Sequence, residues 1–192
     1  MSIVVVAGVP AAGKTTVMKA LLERRGGKKY KVVNFGDVMF NAAKTAGIVK
    51  HRDELRKQSP EFQKEIQKLA ARKIADLAKR SGKKTIIVDT HCSIRTAKGY
   101  LPGLPKWVLE ELYPEMIILV EADPDEILVR RVKDTSRLRD LEYVATIDEH
   151  QRFNRFMGMA YSTFSGATVK LIGNHDNSFE KAVEELITAL ER

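Results

Sequence analysis

The sequence predicts an α/β domain, a three-layer sandwich in which a five-stranded parallel sheet is covered by helices on both faces. Two observations carry this expectation. Short apolar runs alternate along the chain with segments of helical periodicity, the order that builds parallel sheets rather than hairpins. The first run, Ile3-Val4-Val5-Val6-Ala7, also leads straight into Gly8-Val9-Pro10-Ala11-Ala12-Gly13-Lys14-Thr15. That stretch satisfies G-x-x-x-x-G-K-[ST] at every fixed position, and a helical pattern follows from Lys14 to near Arg25.

The remaining elements follow in order. The first helix sets Val17, Met18, Leu21 and Leu22 on one face and stops at Gly26-Gly27. Lys31-Val32-Val33-Asn34-Phe35 is the second strand, which Gly36-Asp37 is expected to break before short helices over 38–45 and 51–57. Ser59-Pro60 is a strong helix start, a capping hydroxyl with proline at the first helical position. Phe62, Ile66, Leu69, Ala70, Ile74 and Leu77 then recur at helical spacing until Gly82. Thr85-Ile86-Ile87-Val88 suits a strand buried on both faces and ends in Asp89. A helix over 107–112 is halted by Pro114, the fourth strand covers 116–120 and its helix 124–133. A longer helix spans 148–164, the fifth strand 167–172 and a final helix 179–190, with Ala182, Val183, Leu186, Ile187 and Leu190 inward. No repeat, low-complexity tract or interdomain linker interrupts the 192 residues, so residues 1–192 read as a single domain.

Composition narrows the function classes. No apolar stretch approaches the about 18 residues that span a bilayer, and the N-terminal residues enter a strand without a basic leader. A single cysteine, Cys92, excludes an internal disulfide and fits a reducing cytoplasm. Net charge is +8, and residues 50–84 hold 12 Lys/Arg against 5 Asp/Glu. A polyanionic partner follows, whether nucleotide phosphates or RNA, with a solvated helix face absorbing part of the lysines.

The glycine-bounded loop explains its own residues. Gly8 and Gly13 let the backbone bend so that the N–H groups of Val9, Pro10-Ala11-Ala12 and beyond converge on phosphate oxygens at the positive end of a helix; proline itself offers none. Lys14 is expected to reach the β- and γ-phosphates of a nucleoside triphosphate, Thr15 to bind Mg2+ through its hydroxyl, and Thr16 to touch the α-phosphate. Asp89, closing an apolar strand, stands where a Mg2+-supporting carboxylate is expected. Arg95 follows six residues later at the carboxyl edge of the sheet, where ligands bind in open α/β folds. Arg130, Arg131, Arg137 and Arg139 crowd ten residues, and guanidinium groups in that density suit the charge of a phosphoryl group in flight. Arg155, with Asn154 and His150, is expected to face the same space. Cys92, Trp107, Met157 and Met159 read as core, and His91 as a phosphate contact or a turn cap.

Further stretches carry a resemblance. Gly-Val-Pro-x-x-Gly-Lys-Thr-Thr, Asn34-Phe35-Gly36-Asp37-Val38-Met39, Arg52-Asp53-Glu54-Leu55-Arg56 and Ile87-Val88-Asp89-Thr90-His91 resemble the archaeal-type adenylate kinases of the P-loop NTPase superfamily. So do Gly99-Tyr100-Leu101-Pro102-Gly103-Leu104-Pro105, Arg137-x-Arg139-Asp140 and Ile147-Asp148-Glu149-His150 with Asn154-Arg155, so the likeness covers essentially the whole chain. It implies Mg2+-dependent transfer of a phosphoryl group from ATP to AMP to give two ADP. It further implies a mobile AMP-binding element near 37–72 and a short ATP lid near 133–147. On it, Gly36, Asp37, Arg56, Asp89, Arg95 and Arg155 serve AMP, and Lys14, Arg95, Arg131, Arg137 and Arg139 surround the moving group. Gly173 and Asn174 would lie beside the adenine of ATP, and a homotrimer is the family's assembly. Compared with bacterial adenylate kinases, no arginine stands after the second strand, so Arg52 or Arg56 must substitute, and Arg95 comes two residues later. A kinase for another nucleoside monophosphate or a small alcohol is the alternative, and an RNA- or ribosome-associated nucleotide switch is the alternative of a different class.

Overall fold

The computed structural model describes residues 2–55, 57–133 and 143–191. In chain order the elements are β1 (Ser2–Ala7), α1 (Lys14–Arg25), β2 (Tyr30–Asn34), α2 (Phe35–Thr45), α3 (Arg52–Leu55), α4 (Pro60–Arg80) and β3 (Thr85–Asp89). They continue with β4 (Ser93–Thr96), β5 (Gly99–Pro102), α5 (Lys106–Leu112), β6 (Met116–Glu121), α6 (Pro124–Lys133), α7 (Val144–Ser165), β7 (Thr168–Gly173) and α8 (Phe179–Glu191). The main sheet is five-stranded and all parallel, in the order β2-β3-β1-β6-β7.

Side-chain alternation divides the strands between two cores. Ile3, Val5, Ile86, Val88, Ile117 and Leu119 face α4, α5 and α7, with Ala70, Ile74, Leu109 and Tyr161 packed against them. Val4, Val6, Ile87, Ile118, Val120 and Ile172 face α1 and α8, meeting Val17, Leu21, Val183 and Leu186. Both faces of β1, β3 and β6 are therefore covered, which is why these strands read as unbroken apolar runs. Each such Ile, Val or Leu contributes about 1.5–3 kcal/mol on burial. This core holds the carboxyl ends of the central strands, and the loops above them, in fixed positions.

Three local outcomes differ from the sequence reading. Gly36-Asp37 does not break the chain after β2: α2 begins at Phe35, because the Asn34 side chain caps it by accepting the Asp37 N–H at 3.0 Å. The loop after β3 folds as an antiparallel hairpin, β4–β5, turned by Thr96, whose hydroxyl donates to the Gly99 carbonyl and accepts the Lys98 N–H. Its strands are only four residues each and mostly exposed, too short to announce themselves by apolar periodicity. Finally, α7 starts at Val144 rather than near Asp148. Leu69 and Met159, expected inside, are 41 % and 58 % exposed, whereas Met157 and Trp107 do pack against the core.

Much of the basic stretch is engaged internally. Lys68 pairs with Glu65, Arg72 with Glu111 and Lys79 with Asp76, while Lys64 lies over the Trp107 ring. Among the described residues no helix is long and apolar enough to cross a membrane.

Candidate functional site

The loop between β1 and α1 sits at the carboxyl edge of the sheet, walled by β3 on one side and β6 on the other. Its glycines are there for space and backbone freedom. A Cβ on Gly8 would lie 2.3 Å from the Val120 carbonyl oxygen, and one on Gly13 would lie 2.1 Å from Asn174 Nδ2. Gly13 also holds φ +87°, a left-handed conformation that costs other residues about 1–2 kcal/mol. Val9 and Ala12 anchor the loop from beneath, packed with Ala122, Ile127 and Ile147.

The loop carbonyls are held by donors from distant elements. Lys14 is 9 % exposed, and its Nζ donates to the Gly8 carbonyl at 2.9 Å. His91 Nδ1 lies 3.1 Å from the same oxygen, so this nitrogen carries the ring proton. Arg131 Nε donates to the Pro10 carbonyl at 3.2 Å, and Asn174 Nδ2 to the Ala12 carbonyl at 2.9 Å. The Ala12 N–H turns back to Val9 O at 3.2 Å. Thr15 and Thr16 are exposed on the first turn of α1.

Toward β2, Asp89 is half-buried at the end of β3, in register with Val6, and its Oδ2 accepts Asn34 Nδ2 at 3.0 Å. The Asn34 Oδ1 that caps α2 also lies 3.4 Å from Arg52 Nη2, and Arg52 pairs with Asp37. The Arg52 guanidinium lies directly over Gly36, where a Cβ would approach Nη2 to 2.3 Å. Arg52, one of the two arginines the sequence offered for this position, lies at the start of α2. Arg56, Arg137 and Arg139 lie outside the described residues. Arg95 is exposed on β4, opposite Tyr100.

On the other flank, a cavity of about 220 Å³ is lined by Gly13, Thr16, Arg130, Asn174, His175 and Phe179. Arg130 is fastened there by Asp176 and by the Asn174 carbonyl, which accepts its Nη2 at 2.9 Å. Its Nη1 is buried and has no hydrogen-bond partner among the described residues. Sequence reasoning placed Arg130 in the arginine cluster but gave the ATP contact to Arg131; lining of the cavity, which only the fold reveals, singles out Arg130.

Other expectations change. Arg155 grips Glu121 with Nε at 2.9 Å and Nη2 at 2.5 Å, an interaction that raises its guanidinium pKa further. Asn154 and His150 are buried beneath the hairpin, where Asn154 Oδ1 accepts the Ser93 N–H and hydroxyl and His150 Nε2 meets the Ser93 carbonyl. Cys92 is fully buried, and desolvation pushes its thiol up to about 12, so it is packing rather than a nucleophile. Asp123, Glu126 and His175 bring ligand-type atoms within 4.8 Å of one another. Glu126 already accepts the Asp123 and Asp176 N–H groups at 3.1 and 2.9 Å. Burial pulls its pKa upward, but these N–H bonds and His175 outweigh it and leave it lowered, as in a helix cap.

Comparison with known proteins places this arrangement. Residues 7–148 match a family described as AAA domain. The chain is 55 % identical to an adenylate kinase of Methanocaldococcus jannaschii over 190 residues, spanning 98 % of this chain and 97 % of that one. The chain belongs to the adenylate kinase family. An adenylate kinase of Methanopyrus kandleri is 54 % identical across 96 % of this chain and 95 % of its own. One from Methanothermobacter thermautotrophicus is 51 % identical over 100 % of both. The fold extends further: a shikimate kinase from Bacteroides thetaiotaomicron superposes with TM-score 0.58 at 14 % identity, covering 100 % of this chain and 99 % of that one. A Janibacter sugar kinase gives 0.56 at 16 % identity, covering 100 % and 95 %. Adenylate kinase membership fits the geometry above, in which the phosphate loop has a cavity at Arg130 on one flank and Arg52 and Arg95 on the other.

Proposed function

We infer that this chain is a phosphotransferase that moves the terminal phosphoryl group of ATP to AMP, reversibly, giving two ADP. The single observation that carries the reading is the loop between β1 and α1, with Lys14 buried inside it, in a chain about half identical to adenylate kinases over its full length. A phosphate oxygen of AMP forms the new bond to the γ-phosphorus as the bond to the β–γ bridging oxygen breaks. The nucleophile is already anionic, so no general base is required.

The chain's own residues then have defined tasks. Lys14 leaves the Gly8 carbonyl for the β- and γ-phosphates. Arg130 bounds the adenine of ATP beside Gly173 and Asn174. Arg131, with Arg137 and Arg139, neutralises the moving group. Arg52, over Gly36 and beside Asp37, exchanges its ion pair for the AMP phosphate, and Arg95 approaches from the hairpin. Thr15 and Asp89 are hard oxygen donors on adjoining elements, a set that would hold Mg2+, which would offset the phosphate charge when bound. Residues 37–72 form the AMP-binding element and 133–147 the lid; their closure excludes water, which would otherwise hydrolyse ATP.

A coupled assay of ATP with AMP, CMP, UMP, GMP and shikimate tests the acceptor. AMP is expected to give the highest kcat/KM, and no advantage for AMP would refute the assignment. Salt-dependent RNA binding that survives Lys14→Ala would favour the nucleotide-switch alternative instead.

Self-association has its own support. Among the described residues β7 is an edge strand, paired only with β6, and it carries an exposed Leu171. On the neighbouring α7, Phe153, Phe156, Met159 and Phe164 are also exposed. An apolar face beside an unpaired strand edge fits a second copy of this chain, and the trimer of the resembling family is its natural closure. Light scattering is expected to give a trimer mass that Phe156→Glu reduces; a wild-type monomer would refute it.

A further inference from the structure

The donors that hold the loop carbonyls come from three separate elements and alternate along the loop. His91, just beyond β3, reaches the Gly8 carbonyl; Arg131 on α6 reaches Pro10; Asn174, just beyond β7, reaches Ala12. Every described peptide bond is trans. In a trans peptide the carbonyl of one residue and the N–H of the next point in opposite directions. Fixing the carbonyls of Gly8, Pro10 and Ala12 therefore also fixes the N–H groups of Val9, Ala11 and Gly13, each pointing opposite to the held carbonyl before it. The intervening peptides need no such help: Pro10 has no N–H, and the Ala12 N–H is spent on Val9 O.

From this alternation we propose that His91 and Asn174 are positioning residues for the ATP phosphates, acting through the peptide planes of the loop and not by contact with those phosphates. The role goes beyond an adenine contact for Asn174 and a phosphate contact or turn cap for His91. It rests on the reading that ATP phosphates occupy this loop, but not on AMP being the acceptor. Two features of the structure give it weight. Lys14 shares the Gly8 carbonyl with His91, so when Lys14 swings to the phosphates His91 remains to satisfy that oxygen. Without His91 the departing lysine would leave a buried acceptor unpaired, which opposes its departure. Asn174 is held in turn: its backbone N–H donates to Glu121 O at 2.7 Å, its carbonyl accepts Arg130, and its side chain is 6 % exposed. It therefore joins the end of β7 to the loop as a rigid strut, consistent with electrostatic preorganisation, in which donors are aimed before the charge arrives.

Asn174→Asp keeps the shape but turns a donor into an acceptor facing the Ala12 carbonyl. His91→Leu removes a donor, and His91→Gln restores one. MgATP affinity is measured by calorimetry in the absence of AMP, so failure of the acceptor assignment leaves the result intact. Asn174→Asp and His91→Leu are each expected to weaken ATP binding about tenfold, with and without Mg2+, while AMP binding stays within about twofold of wild type. His91→Gln is expected to recover most of the loss. Wild-type ATP affinity in both Asn174→Asp and His91→Leu, a His91→Gln variant no better than His91→Leu, or a loss seen only with Mg2+ present would each overturn the proposal. Thermal melting accompanies each titration; if Asn174→Asp does not fold, the His91 pair decides.

Discussion

Gly8→Ala combines a conformational and a steric effect in the phosphate loop. Gly8 has φ +158°, a backbone conformation that L residues rarely adopt, so alanine is strained there before its methyl meets a neighbour. That methyl would lie 2.3 Å from the Val120 carbonyl oxygen, about 1 Å inside ordinary contact in a close-packed interior. Val120 cannot yield, because it is fully buried in β6 and paired in register with Ile172 of β7. The loop must move instead, and with it the Gly8 carbonyl that Lys14 and His91 share. Overpacking of this kind costs about 1–3 kcal/mol, which for a domain of this size lowers Tm by about 4–8 °C at 2 kcal/mol. Because the displaced carbonyl carries Lys14 with it, KM for ATP is expected to rise about tenfold at little change in KM for AMP. Differential scanning fluorimetry and the coupled assay read the two effects. Gly27→Ala is the control: a Cβ there meets nothing within 4 Å and its φ is not positive. A Gly8→Ala enzyme matching Gly27→Ala in both Tm and KM would refute the steric argument.

Other outcomes follow from the same site. Lys14→Ala is expected to lower kcat about a thousandfold with an unchanged melting curve, and near-normal turnover would remove Lys14 from the chemistry. Arg95→Ala is expected to raise KM for AMP more than KM for ATP in initial-rate titrations; equal rises would assign it to the donor. Cys92 is expected to resist a thiol reagent in the folded protein at pH 8 and to react on unfolding. Its thiol pKa is raised by burial from 9.0 to about 12. Its contribution to stability is therefore complete below about pH 9 and is lost progressively as pH rises toward about 12. Denaturant titrations across that range, compared with Cys92→Ala, measure the loss.

Much of this protein was written in local pattern. The phosphate loop, the apolar runs of β1, β3 and β6, and the proline-capped start of α4 are decided by residues adjacent in sequence, where backbone sterics, capping and periodicity act. The same holds for Lys14, Asp89 and Cys92, whose burial follows from the strands and turns that carry them. Tertiary structure decided what pairs across distance. Arg52 stands over Gly36 because α3 folds back on the cap of α2, and Arg130 lines the cavity beside Asn174 because α6 runs alongside the end of β7. Arg155 turns to Glu121, and the hairpin covers His150 and Asn154; strands of four mostly exposed residues are too short to be read from periodicity. Guanidinium and amide side chains are long, flexible and satisfied by any well-placed acceptor. A sequence therefore states where such groups begin, and only the packed fold determines which oxygen they reach.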